Sequence, residues 1–184
     1  MNIAQFFARW RVRVGYPLAI VVLVFARPTP LSVIQGAAIG TIGLLIRASA
    51  AGYLRKQEVL AVTGPYAYTR NPLYFGSAIL ALGAGIAAHS WTSALILVGY
   101  FALFYSVVMR REELELGGRH GAAFAAYADA VPLFFPRLTP ARHASSAAGE
   151  FSFAQYQKNR EYRAIIGFVF LLIVLLVIWR VRIS

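Results

Sequence analysis

The 184-residue chain has no cysteine, and that absence excludes disulfides, thiolate nucleophiles, Cys-ligated zinc and iron–sulfur clusters together. Negative charge is nearly as scarce: seven Asp and Glu stand against 18 Lys and Arg, for a formal net charge of +11. Charged residues make up 14% of the chain, where soluble domains carry about 25%. Only three histidines occur, His89, His120 and His143, and they are scattered, so a serine-hydrolase triad and a metal site both lack their residues. The basic clusters are not interleaved with aromatics on a polar face, which argues against a nucleic-acid partner.

Apolar residues fill the space, at 59% of the chain. Five runs nearly free of charge, Trp10–Ala26, Leu31–Tyr53, Leu73–Ala88, Trp91–Met109 and Ala164–Trp179, take up about half the sequence. A helix needs roughly 20 apolar residues to cross a bilayer, so the second and fourth runs are comfortable and the others need interfacial flanks. The expectation is an all-α, polytopic membrane protein of about five transmembrane helices. Too little chain is left for a separate nucleotide-binding domain of about 100 residues. The Gly-rich runs lie within apolar helices rather than after a strand, so they are not phosphate cradles.

With the N-terminus inside, 14 of the 18 cations fall on the cytoplasmic side; Arg27, Arg180 and Arg182 lie outside and Arg47 lies within a span. The basic start and first apolar run are read as a retained anchor, because Arg27-Pro28-Thr29-Pro30 marks a tight outer turn. Residues 1–57 form the N-terminal helices, 58–138 a core, 139–163 a linker and interfacial segment, and 164–184 the last helix. The Ala- and Ser-rich stretch 141–149 reads as a loose linker. Gly36, Gly40 and Gly43 give the second run a close-packing face. Arg47 either snorkels to the inner interface or contacts a substrate within the membrane.

The chemistry gathers at one membrane face. Gly64-Pro65-Tyr66-Ala67-Tyr68-Thr69-Arg70-Asn71-Pro72 is a built loop, with Pro72 suited to the first turn of the third helix and Asn71 to its cap. Only His89-Ser90-Trp91 separates the third and fourth runs, so they must form a tight antiparallel hairpin. That hairpin returns Glu112-Glu113 to the depth of Arg70. Arg111 and Glu115 have i,i+4 spacing, so the fourth helix projects into water; residues 120–130 read as a short amphipathic helix presenting Phe124 and Tyr127, followed by an apolar turn at 131–136. Two readings stand for Arg70 and the glutamates: an ion pair that fixes the hairpin, or a pocket whose Arg takes a carboxylate and whose Glu takes an ammonium, as a zwitterionic amino acid requires.

The ordered set Gly64-Pro65-Tyr66, Arg70-Asn71-Pro72-Leu73-Tyr74-Phe75-Gly76, Glu112-Glu113 and Gly121…Tyr127…Pro136 resembles the isoprenylcysteine carboxyl methyltransferase and phospholipid methyltransferase family over residues 58–138. The segment Asn159-Arg160-Glu161-Tyr162-Arg163 resembles bacterial members, which suggests a bacterial inner membrane; from the residues alone it is an interfacial anchor. The resemblance implies an S-adenosyl-L-methionine site at the cytoplasmic face and methyl transfer to a lipid or prenylated acceptor, with no metal. The family's Arg-His-Pro-x-Tyr-x-Gly segment and Glu-Glu pair map onto Arg70, Pro72, Tyr74, Gly76, Glu112 and Glu113, with Asn71 where histidine is usual and Phe124 where a tyrosine is common.

Arg70 and Glu113 are therefore expected to be the catalytic polar pair, with Tyr66, Asn71, Pro72, Tyr74, Gly76, Glu112 and Tyr127 completing the cofactor site and Arg47 contacting substrate. A prenylcysteine-like carboxylate is the favoured acceptor, because it is nucleophilic at neutral pH and Asn71 cannot shuttle a proton. An amine-headed phospholipid is the alternative. An intramembrane NADPH-dependent reductase and a non-enzymatic scaffold share the helical design, whereas a transporter would need polar groups at the midplane.

Overall fold

The computed structural model describes residues 3–55, 59–141 and 149–184. Among these residues six α-helices and one 3-10 turn follow in order: α1 Ile3–Phe25, α2 Pro30–Tyr53, the turn Gly64–Ala67, α3 Pro72–Ala88, α4 Trp91–Ala130, α5 Phe153–Lys158 and α6 Tyr162–Ile183. No strand occurs among the described residues. The chain is an all-α polytopic membrane protein. Among the described residues three helices, α2, α4 and α6, are long and apolar enough to cross a membrane, and two shorter apolar helices, Arg13–Phe25 and Pro72–Ala88, accompany them. The last run was expected to be short, but α6 continues through Arg180 and Arg182 and reaches 22 residues, since cations at a helix C-terminus favour its dipole. The expected linker falls mostly on residues 142–148, outside the described residues, as do Lys56, Glu58 and His143.

Each sharp turn at the far end has a local cause. Pro28 and Pro30 end the excursion after α1, and Thr29 starts α2 through a capping box with Ser32. The α3–α4 hairpin closes in two residues: His89 takes a left-handed conformation (φ 48°, ψ 46°) and Ser90 caps α4 by accepting from the Ser93 N–H. The Arg27 N–H donates to the Ala88 carbonyl at 2.8 Å and the Ser32 hydroxyl to Ala87 at 3.2 Å, tying this hairpin to the start of α2. Ala26, Val33, Ala87, Ala88 and Leu175 form the apolar core there.

Between the ends, α2 and α3 approach backbone to backbone. A methyl group at Gly83 would meet the Gly36 carbonyl oxygen at 2.6 Å, and one at Gly43 would meet the Gly76 carbonyl oxygen at 2.6 Å. Lipid provides no hydrophobic drive between helices, so this contact between small residues supplies the attraction. The Phe168 ring of α6 sits in the space left by Gly40, joining α6 to the same seam.

The base of the molecule is where α4 leaves the apolar layer. Its first part, from Trp91 to a break at Gly121, is about 45 Å long. The short helix expected at 120–130 is present: α4 consists of two helices that meet at Gly121 (φ 51°, ψ −124°), a conformation that glycine accepts without strain, and the second runs to Ala130. Past that break Phe124 and Tyr127 turn inward onto Val62 and Val131, making a second core. The Arg111–Glu115 pair forms as expected, at 2.7 Å on the exposed side of α4.

Candidate functional site

The site is assembled from two stretches about 62 positions apart. The Arg70 N–H donates to the Pro132 carbonyl at 2.9 Å, the Arg137 N–H to Tyr68 at 2.9 Å and the Ala141 N–H to Ala67 at 2.9 Å. Thr69 donates its hydroxyl to the Phe134 carbonyl at 2.9 Å, and the Asn71 side-chain amide to Leu133 at 3.0 Å. The Tyr127 hydroxyl donates to the Tyr66 carbonyl at 2.8 Å. Residues 131–141 thus brace the motif loop bond by bond.

On that support the polar cluster closes across the hairpin. Arg70 Nη1 lies 2.6 Å from Glu113 Oε1, with the two side chains 16% and 24% exposed. The Tyr74 hydroxyl donates to Glu112 Oε1 at 2.6 Å. Tyr105, two helical turns before Glu112 on α4, meets the Tyr74 ring edge-on at 5.2 Å and stacks on Phe101 at 4.5 Å. Arg70 Nε is buried without a hydrogen-bond partner, and Glu113 Oε1, though in ionic contact, lacks an aligned hydrogen bond. Such atoms are costly unless something satisfies them, and a donor beside a carboxylate fits the two ends of an amino-acid zwitterion.

Burial pushes the Tyr66 phenol well up, with Tyr127, Glu112, Tyr74 and Glu161 adding in the same direction. Burial likewise raises the Tyr127 phenol, against a smaller lowering by Arg70. Both remain protonated at neutral pH and so are not bases, and the Tyr127 hydroxyl is a donor.

Some expected residues stand behind the cluster. Asn71 occupies the N-cap position of α3 but makes no side-chain cap, a correction to the expected cap: its amide is taken by Leu133. Pro72 is fully buried at the first position of α3. Gly76 faces α2, packed on Gly43 and the Arg47 stem. Arg47 does not snorkel. Its Nε meets Glu161 Oε1 at 2.5 Å, and its Nη1 donates to the Leu73 carbonyl at 3.3 Å and to the Ser77 hydroxyl.

Glu161 and Asn159 are the contributors sequence reasoning left as an interfacial anchor. Asn159 donates to the Ala51 carbonyl at 2.8 Å and to Leu54 at 2.9 Å, and Gln155 to Leu54 at 2.7 Å, so this segment caps the end of α2. Only the polarity of the Asn159-Arg160-Glu161 stretch at a membrane boundary signalled it.

Two apolar cavities lie between the helices. One of about 580 Å³ touches Thr69 and Pro72, on either side of Arg70 in sequence, and is walled by Tyr53, Tyr68, Phe75 and Pro136. A larger one of about 770 Å³ lies between α2, α3 and α4 toward His89, away from the charged cluster.

An all-α membrane fold whose helical hairpin joins Arg70 to Glu113 and Tyr74 to Glu112 agrees with the comparison to known families. Residues 32–118 match the phospholipid methyltransferase family, and over this stretch the chain is similar to that family of membrane methyltransferases. Among curated proteins, the chain is similar to the cobalt-zinc-cadmium resistance protein CzcN of Cupriavidus metallidurans, 34% identical over 140 residues, covering 71% of this chain and 63% of that one. It is also similar to the nickel-cobalt-cadmium resistance protein NccN of Alcaligenes xylosoxydans xylosoxydans, 41% identical over 92 residues, covering 50% of this chain and 43% of that one. The matches span less than two thirds of either relative's length. No solved structure matches the chain significantly.

Proposed function

We propose that the protein transfers a methyl group from S-adenosylmethionine to a lipid-borne acceptor at the cytoplasmic membrane face. The observation that carries this reading is the buried, unpartnered Arg70 Nε beside the Glu113 carboxylate, within a stretch of methyltransferase-family sequence. Arg70 would hold the cofactor carboxylate, and Glu113 with Glu112 its ammonium. When bound, S-adenosylmethionine supplies a methyl group on a sulfonium whose leaving group is a neutral thioether. The residues of the chain then have positioning and exclusion of water as their main tasks. Tyr74 and Tyr66 shape the floor, while Asn71, Pro72, Gly76 and Tyr127 fix the backbone beneath them. Arg47, held by Glu161, Ser77 and Leu73, is committed to the protein rather than to substrate.

A carboxylate of a prenylcysteine-like acceptor is the reading the site's protonation supports best. The phenols of Tyr66 and Tyr127 are held protonated and Asn71 stands at the third helix's cap position, so none of them is a base for an ammonium headgroup. A terminal carboxylate, with a reference pKa of about 3.3–3.7, needs no base. The apolar cavity beside Thr69 and Pro72 offers room for a hydrocarbon chain near the cluster. A phospholipid amine is the second reading, favoured by the description of the matched family. Both relatives carry metal-resistance names, and a methylated membrane component is the route by which this chemistry would serve such a role here.

The test is radiolabelled methyl transfer in one detergent to a farnesylcysteine analogue and to phosphatidylethanolamine. Label on the analogue supports the carboxylate reading. Label on the phospholipid alone, at a rate that climbs from pH 7 to 9, replaces it by the amine reading, and absence of both transfer and S-adenosylhomocysteine binding overturns methyl transfer itself.

A further inference from the structure

The ion pair between α2 and the start of α6 is half-buried, lies partly outside the family-matched stretch, and is not used by the cofactor chemistry above. Arg47 and Glu161 are 21% and 11% exposed. Arg47 lies six residues before the end of α2, roughly 9 Å inside it. Its guanidinium addresses three groups from one plane: Glu161, the Ser77 hydroxyl and the Leu73 carbonyl. The Ser77 hydroxyl also donates to Leu73, at 2.8 Å. Leu73 immediately precedes Tyr74, so this grip falls on the peptide next to the residue that bonds Glu112.

Glu161 is itself held from behind. It is the residue before the first turn of α6, after Arg160 in a left-handed conformation (φ 55°), and the segment leading to it is fastened to the end of α2 through Asn159 and Gln155. The Ser152 N–H adds a bond to the Gly52 carbonyl at 3.1 Å, and Phe151 packs edge-on against Tyr53. An apolar pair of similar volume would hold α6 to α2 about as well, because desolvation of a buried pair offsets most of its attraction. What the charged pair adds is direction: a planar fork that fixes one rotamer of Arg47 against α3.

We infer that Glu161 is a positioning residue of the methyl-transfer site: through Arg47 it fixes the first turn of α3, and so sets Tyr74 against Glu112. The C-terminal helix thereby becomes a required part of a site whose charged groups lie in the family-matched stretch. Glu161 touches neither cofactor nor acceptor. Its charge reaches the Tyr66 hydroxyl, which places it within the electrostatic surroundings of the site. This inference rests on the methyl-transfer reading above.

The experiment uses the full chain purified in detergent, with S-adenosylhomocysteine as probe, calorimetric Kd and thermal midpoint measured side by side. Glu161→Gln keeps the volume and removes the charge; it should weaken Kd on the order of tenfold and raise the KM for S-adenosylmethionine similarly. Glu161→Asp, which keeps the charge, should stay within about threefold of wild type, a rescue that a purely structural contact would not produce. If Glu161→Gln does not fold, Arg47→Lys keeps the charge and loses the fork; weakened Kd in that variant supports the inference and an unchanged Kd overturns it. A lowered thermal midpoint with Kd unchanged in Glu161→Gln makes the pair a helix clamp only and overturns the inference. Wild-type protein that fails to bind the probe overturns the methyl-transfer reading, an outcome distinct from a wild type that binds and a variant that binds equally well.

Discussion

Removing the Arg70 side chain separates the two roles open to its pair with Glu113. In Arg70→Ala the Glu113 carboxylate stays where α4 puts it, in a position where Oε1 has no aligned hydrogen bond even now. Breaking a buried pair by deleting one partner costs about 3–5 kcal/mol. Exposures of 16% and 24% let water reach part of the site, so the low end, about 3 kcal/mol, is the expected loss. The double variant Arg70→Met, Glu113→Leu removes both charges at similar volume and should recover most of that stability, because neither desolvated charge remains. Cofactor binding should follow the opposite logic, with both variants weak, since the carboxylate donor is missing from each. The assay is thermal unfolding in detergent with and without S-adenosylhomocysteine, together with calorimetry. A double variant that is stable and binds the cofactor within about threefold of wild type would refute the reasoning and leave Arg70–Glu113 as a hairpin clamp.

Gly83→Leu places a side chain where even a Cβ would lie 2.6 Å from the Gly36 carbonyl oxygen, so α2 and α3 must part; the expected loss is about 1–3 kcal/mol or more, read from the thermal midpoint. Burial raises the Tyr66 and Tyr127 phenols above the ordinary value of 10.0, so the native state binds more protons than the unfolded chain above about pH 10 and stability falls from there upward, by as much as about 1.4 kcal/mol per pH unit for each phenol. Tyr127→Phe removes one of the two and also the 2.8 Å bond to the Tyr66 carbonyl, so alkaline unfolding should become less steep while stability at pH 7 drops by about 1 kcal/mol. Reporter fusions after residues 90 and 184 should both read as external if the charge bias sets the orientation; a cytoplasmic signal at residue 90 would reverse the face assigned to the site.

The apolar runs, the tight antiparallel hairpin and the meeting of Arg70 with Glu113 were legible in the sequence because each follows from one-dimensional rules. Length and hydropathy select spans, and a connection of His89 and Ser90 permits only an antiparallel return. Once the return is fixed, a helix rise of 1.5 Å per residue brings Glu112 and Glu113 back to the depth of residues 70–76. The small-residue face of α2 was legible as a face, but not its partner: that Gly36 meets Gly83 and Gly43 meets Gly76 depends on the register of two helices, which no local signal encodes. The same holds for Asn71. Its position before Pro72 marks a cap, yet the brace at 131–141 brings the Leu133 carbonyl within 3.0 Å and captures the amide instead.

Arg47 and Glu161 show the limit most clearly. A lone arginine near the end of an apolar helix has two solutions in lipid: its head reaches the interface, or it finds an acid within the protein. Sequence determined that Arg47 had to be satisfied. Which residue would do so was decided by the packing of α6 on α2, where Phe168 settles onto Gly40, and by the segment from 151 to 161 that folds over the end of α2. Those contacts join residues 114 positions apart, a separation at which the identity of a partner is set by how whole helices pack and not by the chain around either residue.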